Sequence, residues 1–223
     1  MSLPLRLVRR SPKVGIAYTA MLLGGYLWWI LQPAGERTAV LASSSTDLAH
    51  LERVPWLVLP ASSIWSGDNI GWWLAATLLC LCALEVAHGS VAVAVTGFLA
   101  HVVGTLVSQG LIAARIAAGE LSSSAGHVLD VGPSYIVASC AAAVVASSRT
   151  PRSLRVLCAL TFVPLYVAAF DFTDAGQVAT LGHAVAITVG ALMARTKLFR
   201  GEHHFSWPHF GDFVDSRVAV SQR

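Results

Sequence analysis

Hydrophobic residues in this chain form long uncharged runs separated by short polar segments. The first run, 14–33, is long enough for a helix to cross a hydrocarbon core of about 30 Å. The later runs cover about 70–87, 91–112, 131–148, 156–170 and 177–194, and Glu85 is the one charged residue within them. Because each run is continuous rather than alternating with polar residues, we predict six membrane-spanning helices and an all-α polytopic fold.

The positive charges predict how these helices are oriented. All Lys and Arg except Arg37, Arg53 and Arg115 fall in the N-terminal segment, the turn after the fourth run, or the C-terminal segment. Basic residues concentrate on the cytoplasmic side of membrane proteins. We therefore predict a cytoplasmic basic N-terminus at 1–13, a six-helix membrane domain at 14–198 and a cytoplasmic tail at 199–223.

The segment after the first run, 34–68, is a long outer loop that becomes apolar towards its end. Its part V-P-W-L-V-L-P-A-S-S-I-W is too short to span and contains Pro60, which favours an interfacial or re-entrant segment in the outer leaflet. An aromatic belt is predicted at the same level, formed by Trp28, Trp29, Trp56, Trp65, Trp72 and Trp73.

Composition supports an integral membrane protein and excludes several other classes. The chain is 55% hydrophobic and 12% charged, with a mean hydropathy of +0.65, whereas an average soluble domain is about a quarter charged. The charge of +3 is segregated by loop, so no nucleic-acid role is predicted. The four cysteines lie in apolar stretches without a CxxC motif, which predicts buried free thiols. The alanine-rich, basic-inside character favours a bacterial plasma membrane.

Ionisable residues inside the apolar runs are candidates for function. Glu85 and His88 have the ExxH spacing of carboxylate-bridged metal proteins, but no second such pair is present, so neither a metal nor another cofactor is predicted. We interpret Glu85 as hydrogen-bonded to a neighbouring turn and His101 as a polar contact between helices. His183 remains in the outer half of the sixth predicted helix.

Two of the predicted helices have faces of small residues. One repeats every four residues from Ser134 to Ala146, and the other repeats from Gly182 to Ala194. Such faces allow close helix packing in lipid. Both helices enter from outside, so Ser134 and His183 lie at similar depth and can form a nucleophile and base pair.

Ser134 also occupies a favourable position for this chemistry. Gly132 and Pro133 are typical of a helix start, which places Ser134 in the first turn. Free N–H groups and the positive end of the helix dipole stabilise negative charge there. Asp130, one turn earlier, is interpreted as the helix N-cap or as a hydrogen-bond partner of a neighbouring polar group.

Three motifs, together with the six-helix layout and the long first loop, resemble those of the rhomboid intramembrane serine proteases. They are L-E-x-x-x-G at 84–89, G-x-S at 132–134 and G-H-x-x-A-x-x-x-G at 182–190. The resemblance implies Ser134 as nucleophile, His183 as base and Glu85 as a structural carboxylate, without a cofactor. Oxyanion stabilisation is assigned to Asn69 and to the backbone at Gly132. The implied substrate is a transmembrane protein cut near its outer end.

Two departures from the family pattern support an alternative. Tyr135 stands where the family has a glycine, and Asn69 and Trp73 occupy the window of its H-x-x-x-N motif. The alternative is an inactive relative that binds or escorts membrane helices or serves as a subunit of a membrane complex. A transporter is less favoured because intramembrane charges and internal repeats are scarce. The His-rich, aromatic tail is interpreted as surface-lying or disordered, or as a docking peptide.

Overall fold

The computed structural model describes residues 11–162 and 174–200, and within these ranges the secondary structure is helical, with no strands. The helices are α1 (Lys13–Ile30), α2 (Ala34–Ser43), α3 (Leu48–Arg53), α4 (Pro55–Ser62), α5 (Ile70–His88), α6 (Ser90–Ala117), α7 (Ser134–Ala146), α8 (Arg152–Leu160), α9 (Asp174–Met193) and α10 (Lys197–Arg200). Short 3-10 segments occur at Gly67–Asn69 and Ser123–His127. The predicted all-α class is confirmed.

Two helices of the described chain, α5 and α6, are long and apolar enough to cross a membrane. The α7 helix and the part of α9 from Ala179 to Met193 are shorter apolar helices. The predicted runs at 70–87 and 91–112 correspond to α5 and α6, although α6 continues to Ala117. Most of the predicted fifth run and nearly all of the predicted tail lie outside the described residues.

The first outer loop is largely helical and packs into the bundle. It contains α2, α3 and α4, and the C-terminal end of α4 reaches the middle of α6. There, His101 Nε2 lies 2.8 Å from the Leu59 carbonyl oxygen and 3.2 Å from Ser62 Oγ. The Tyr18 hydroxyl donates to the Ser63 carbonyl at 2.7 Å. These bonds fix α4 to α1 and α6.

Glu85 joins three helices at the opposite end of the bundle. Its buried carboxylate accepts the N–H groups of Val14 and Gly15, at 3.0 and 2.8 Å, and the Ser90 hydroxyl at 2.6 Å. The first N–H groups of a helix have no intrahelical acceptor, and a negative charge at that end is favourable. Glu85 of α5 therefore caps α1 and also holds the start of α6.

The α9 helix packs against both α6 and α7, and glycine makes its approach to α7 possible. A methyl group at Gly190 would overlap the Ser139 carbonyl oxygen, and one at Gly182 would overlap the Tyr135 side chain. The two helices are therefore in backbone contact at Gly190. Close approach of this kind is how helices associate where apolar burial gives no net driving force.

We predict that Gly190→Ala destabilises the protein, because its methyl group has no free volume on α7. Overpacking typically costs about 1–3 kcal/mol. The matched control is Gly110→Ala on α6, where an added methyl meets nothing within 4 Å and is expected to be neutral or to stabilise by up to about 1 kcal/mol. Unfolding free energies in mixed micelles test this pair. Equal stability of the two variants would contradict the close contact.

Candidate functional site

The loop that precedes α7 delivers Ser134 to the first turn of that helix. Gly132 has a φ of 137°, a conformation that a residue with a Cβ adopts only with strain. Its N–H donates to the Ser62 carbonyl at 2.8 Å, so the loop is tied to the end of α4. The Gly132 N–H is thus engaged within the fold, whereas the Ser134 N–H begins the unpaired first turn of α7.

His183 lies on α9 with its two ring nitrogens in different surroundings. Nδ1 lies 2.7 Å from the Ala179 carbonyl oxygen. Because a carbonyl can only accept, Nδ1 carries the proton, and in the neutral ring Nε2 is an acceptor. Nε2 is buried and has no hydrogen-bond partner within the described residues.

Tyr135 is the residue of α7 that meets His183. The two rings pack edge to face, with centroids 5.0 Å apart and an interplanar angle of 73°. The Tyr135 ring is also 6.2 Å from the His101 ring, and it lies against Gly104 of α6. Tyr135 is buried, with 4% of its surface exposed, so its ring fills the space where α6, α7 and α9 converge.

Ser134 does not share that position. Successive residues of an α-helix point about 100° apart, so the Ser134 side chain leaves α7 in a different direction from Tyr135. In the described part of the chain, no hydrogen bond joins Ser134 to His183. The structure therefore brings the two predicted helices together, and Tyr135 of α7 packs on the His183 ring.

Asp130 connects the first outer loop to the site. Its carboxylate accepts hydrogen bonds from Thr46 Oγ1 at 3.1 Å and Gln109 Nε2 at 3.3 Å, and its N–H donates to Ser45 Oγ at 3.0 Å. Asp130 is not the N-cap of α7, since Pro133 takes that position without a side-chain cap bond. The expected cap is corrected, and the other expectation, a bond to neighbouring polar groups, describes the observed contacts.

The environment of Asp130 disfavours its charge. Burial raises the pKa of the Asp130 carboxyl above its usual range, although the hydrogen bonds from Gln109 and Thr46 act in the opposite direction. The carboxylate is also close enough to His101 and His183 to interact with both electrostatically. Asp130 therefore couples the outer loop to the two histidines electrostatically.

The other predicted site residues lie apart from this region or have structural contacts. Asn69 is exposed at the start of α5, and its side chain makes no cap bond there. Glu85 caps α1 at the other end of the bundle. Within the described ranges, no three His, Cys, Asp or Glu residues are grouped so as to hold a metal, and all four cysteines are free thiols.

One feature of the site was missed by sequence reasoning. His101, Thr105 and Gln109 follow each other at a spacing of four on the buried face of α6, and each has a buried polar atom without a partner among the described residues. The sequence does contain a signal for this row, namely polar residues spaced four apart within an apolar run. Thr46 and Ser45 gave no local signal, because their contacts with Asp130 span 84 and 85 residues.

Comparison with known proteins gives one finding. The family model described as rhomboid-like protein matches residues 6–204, which is most of the chain. No curated protein and no solved structure matches significantly.

We predict that Asp130 makes the stability of the protein depend on pH. Because its folded-state pKa is raised, the folded protein keeps this proton to a higher pH than the unfolded chain does. The free energy of unfolding therefore falls as pH rises above about 4, the usual pKa of an aspartate side chain, until Asp130 ionises in the folded protein as well. The asparagine in Asp130→Asn cannot ionise, so the unfolding free energy of this variant should fall less over the same pH range. Thermal unfolding across this range tests it, with the exposed Glu36→Gln as control, and an unchanged slope in Asp130→Asn would contradict it.

Proposed function

The chain belongs to the rhomboid-like protein family, and on that premise we propose that it is a membrane protein that binds or escorts the transmembrane helices of other proteins without cleaving them. The observation that carries the proposal is the packing of Tyr135 on His183, together with the absence of a hydrogen bond between Ser134 and His183 in the described part of the chain. Family membership and the apolar helices α5 and α6 indicate the membrane as its location.

The chemistry of a serine nucleophile argues for this choice. A base activates a hydroxyl within hydrogen-bond reach, about 2.6–3.2 Å, and Ser134 and His183 share no such bond. The Tyr135 ring is packed between His183 and Gly104, so the residue next to Ser134 occupies one side of the imidazole. The Gly132 N–H, one of the expected oxyanion donors, already serves the Ser62 carbonyl.

The surface of α6 supports helix binding. Gly110 and Ala114 are exposed and lie four residues apart, and an added methyl at Gly110 would meet nothing within 4 Å. A small-xxx-small face of this kind lets a second helix approach closely in lipid. The neighbouring Leu106 is 52% exposed, so an apolar side chain stands beside the small residues.

We further propose six spans with both termini in the cytoplasm and an outer loop, α2 to α4, embedded on the opposite side. The placement of Lys and Arg supports this orientation. The depth that α4 reaches beside His101 supports a re-entrant loop, because irregular backbone is tolerated at membrane depth only where protein or polar groups satisfy it.

Intramembrane proteolysis by Ser134 and His183 is the second candidate, and one observation favours it. The His183 Nδ1–H donates to Ala179, which leaves Nε2 as an unpartnered acceptor. That is the form of imidazole a general base requires, and catalytic hydrogen bonds often tighten only when substrate binds. A protease of this kind would cut a transmembrane substrate near its outer end.

Two measurements on the same preparation test the proposal. The first treats the protein, reconstituted in liposomes, with a serine-reactive fluorophosphonate, alongside an active rhomboid protease as a control for the probe. We expect no adduct on Ser134. An adduct that disappears in both Ser134→Ala and His183→Ala would instead establish the protease.

The second measurement replaces Leu106, which is exposed beside the small face, by a photo-reactive benzoylphenylalanine in native membranes. We expect cross-links to a transmembrane segment of another protein, and we expect Ala114→Phe to abolish them by blocking the small face. The same photo-reactive residue at Val156, which is exposed on α8, is the matched control. Adducts to lipid alone, or equal cross-linking from both sites, would contradict helix binding at α6.

A further inference from the structure

An apolar cleft lies between α1, α4 and α6, and neither Tyr135 nor His183 lines it. Its volume is about 190 Å³, and its wall on α6 extends from Val93 to His101. Leu59 and Pro60 of α4 form the opposite wall near the middle of the bundle. At the rim, Ala94 is exposed and Phe98 is 67% exposed, so the cleft opens sideways to the surroundings of the bundle.

The dimensions of the cleft match one hydrocarbon chain. Eight helical steps from Val93 to His101 give a length of about 12 Å. A volume of about 190 Å³ spread over that length makes the cleft a narrow slot. A helix, about 10 Å in diameter, cannot enter. A chain running along a spanning helix can, and it would have the direction of a lipid tail.

The charges place a lipid headgroup at one end of the cleft. The end marked by Val14 lies beside the Glu85 carboxylate, which accepts the Val14 N–H. Lys13, the residue before Val14, is exposed, and Arg9 and Arg10 precede it in the sequence. Anionic lipids of the cytoplasmic leaflet attract basic segments at this level. The Glu85 carboxylate is buried and accepts three hydrogen bonds within the bundle, so it is not part of the exposed surface at this end.

We propose that this cleft binds one acyl chain of an anionic phospholipid from the cytoplasmic leaflet, with the headgroup at Lys13 and the chain lying along α6 towards His101. The sidedness rests on the proposed topology, whereas the binding itself is independent of any partner helix. The bound chain contacts Leu59 and Pro60, so it supports α4. Through the Ser62 carbonyl, α4 holds Gly132, two residues before Ser134.

Native mass spectrometry tests the site. The purified protein is reconstituted in nanodiscs that contain equal amounts of phosphatidylglycerol and phosphatidylethanolamine and is then released in mild detergent. We expect one phosphatidylglycerol to remain bound to the wild type. Ala94→Phe fills the cleft and should reduce retention at least tenfold. Val95→Phe, its neighbour with 40% exposure but outside the cleft lining, should retain the lipid.

Headgroup selection is tested with Lys13→Glu, which should still retain a lipid but lose the preference for phosphatidylglycerol. Equal retention by Ala94→Phe and wild type, or no retained lipid in wild type, would overturn the proposal. If Ala94→Phe does not fold, a phospholipid with a diazirine on its acyl chain decides with the wild-type protein. Adducts must fall in the peptides that contain Val14 or Val93 to His101, and adducts elsewhere would also overturn it.

Discussion

The close contact between α7 and α9 determines which side chain packs against His183. Gly190 lets α9 approach the Ser139 carbonyl, and about two turns away Gly182 makes room for the Tyr135 side chain. At this separation, one side chain from α7 fills the space in front of His183, and that side chain is Tyr135. The surroundings of His183 follow from this contact, because the Tyr135 ring packs against the imidazole edge to face.

Polar groups then fix the segments around this contact. Glu85 caps α1 and ties it to α5 and α6, whereas Asp130 ties the first outer loop to α6. Each carboxylate is surrounded by donors, as a buried charge requires. The outer loop is thus coupled to the start of α7 through Asp130 and through the bond from Gly132 to Ser62. A shift of the outer loop would therefore also move the start of α7, where Ser134 lies.

The sequence predicted which segments form helices better than it predicted which face of each helix points at its neighbours. Uncharged length predicted α5 and α6 to within a few residues, and four-residue repeats of small side chains correctly indicated that α7 and α9 pack closely. These repeats do not determine which residue of α7 faces His183, since one position along a helix changes direction by about 100°. The contacts of Thr46 with Asp130 join residues 84 apart, and no local pattern specifies such a pair. The helices α2 to α4 were also not predicted, because Pro60 and a weakly amphipathic pattern are typical of irregular loops.

Nitrogen NMR of His183 in ¹⁵N-histidine-labelled protein tests the central claim most directly, because the ring nitrogens report their own hydrogen bonds. The account predicts a neutral ring protonated at Nδ1, with resonances that do not change in Ser134→Ala and that shift in Tyr135→Leu through loss of the aromatic neighbour. A shift of the Nε2 resonance in Ser134→Ala, with little change in Tyr135→Leu, would show that serine and histidine are hydrogen-bonded and would contradict the account.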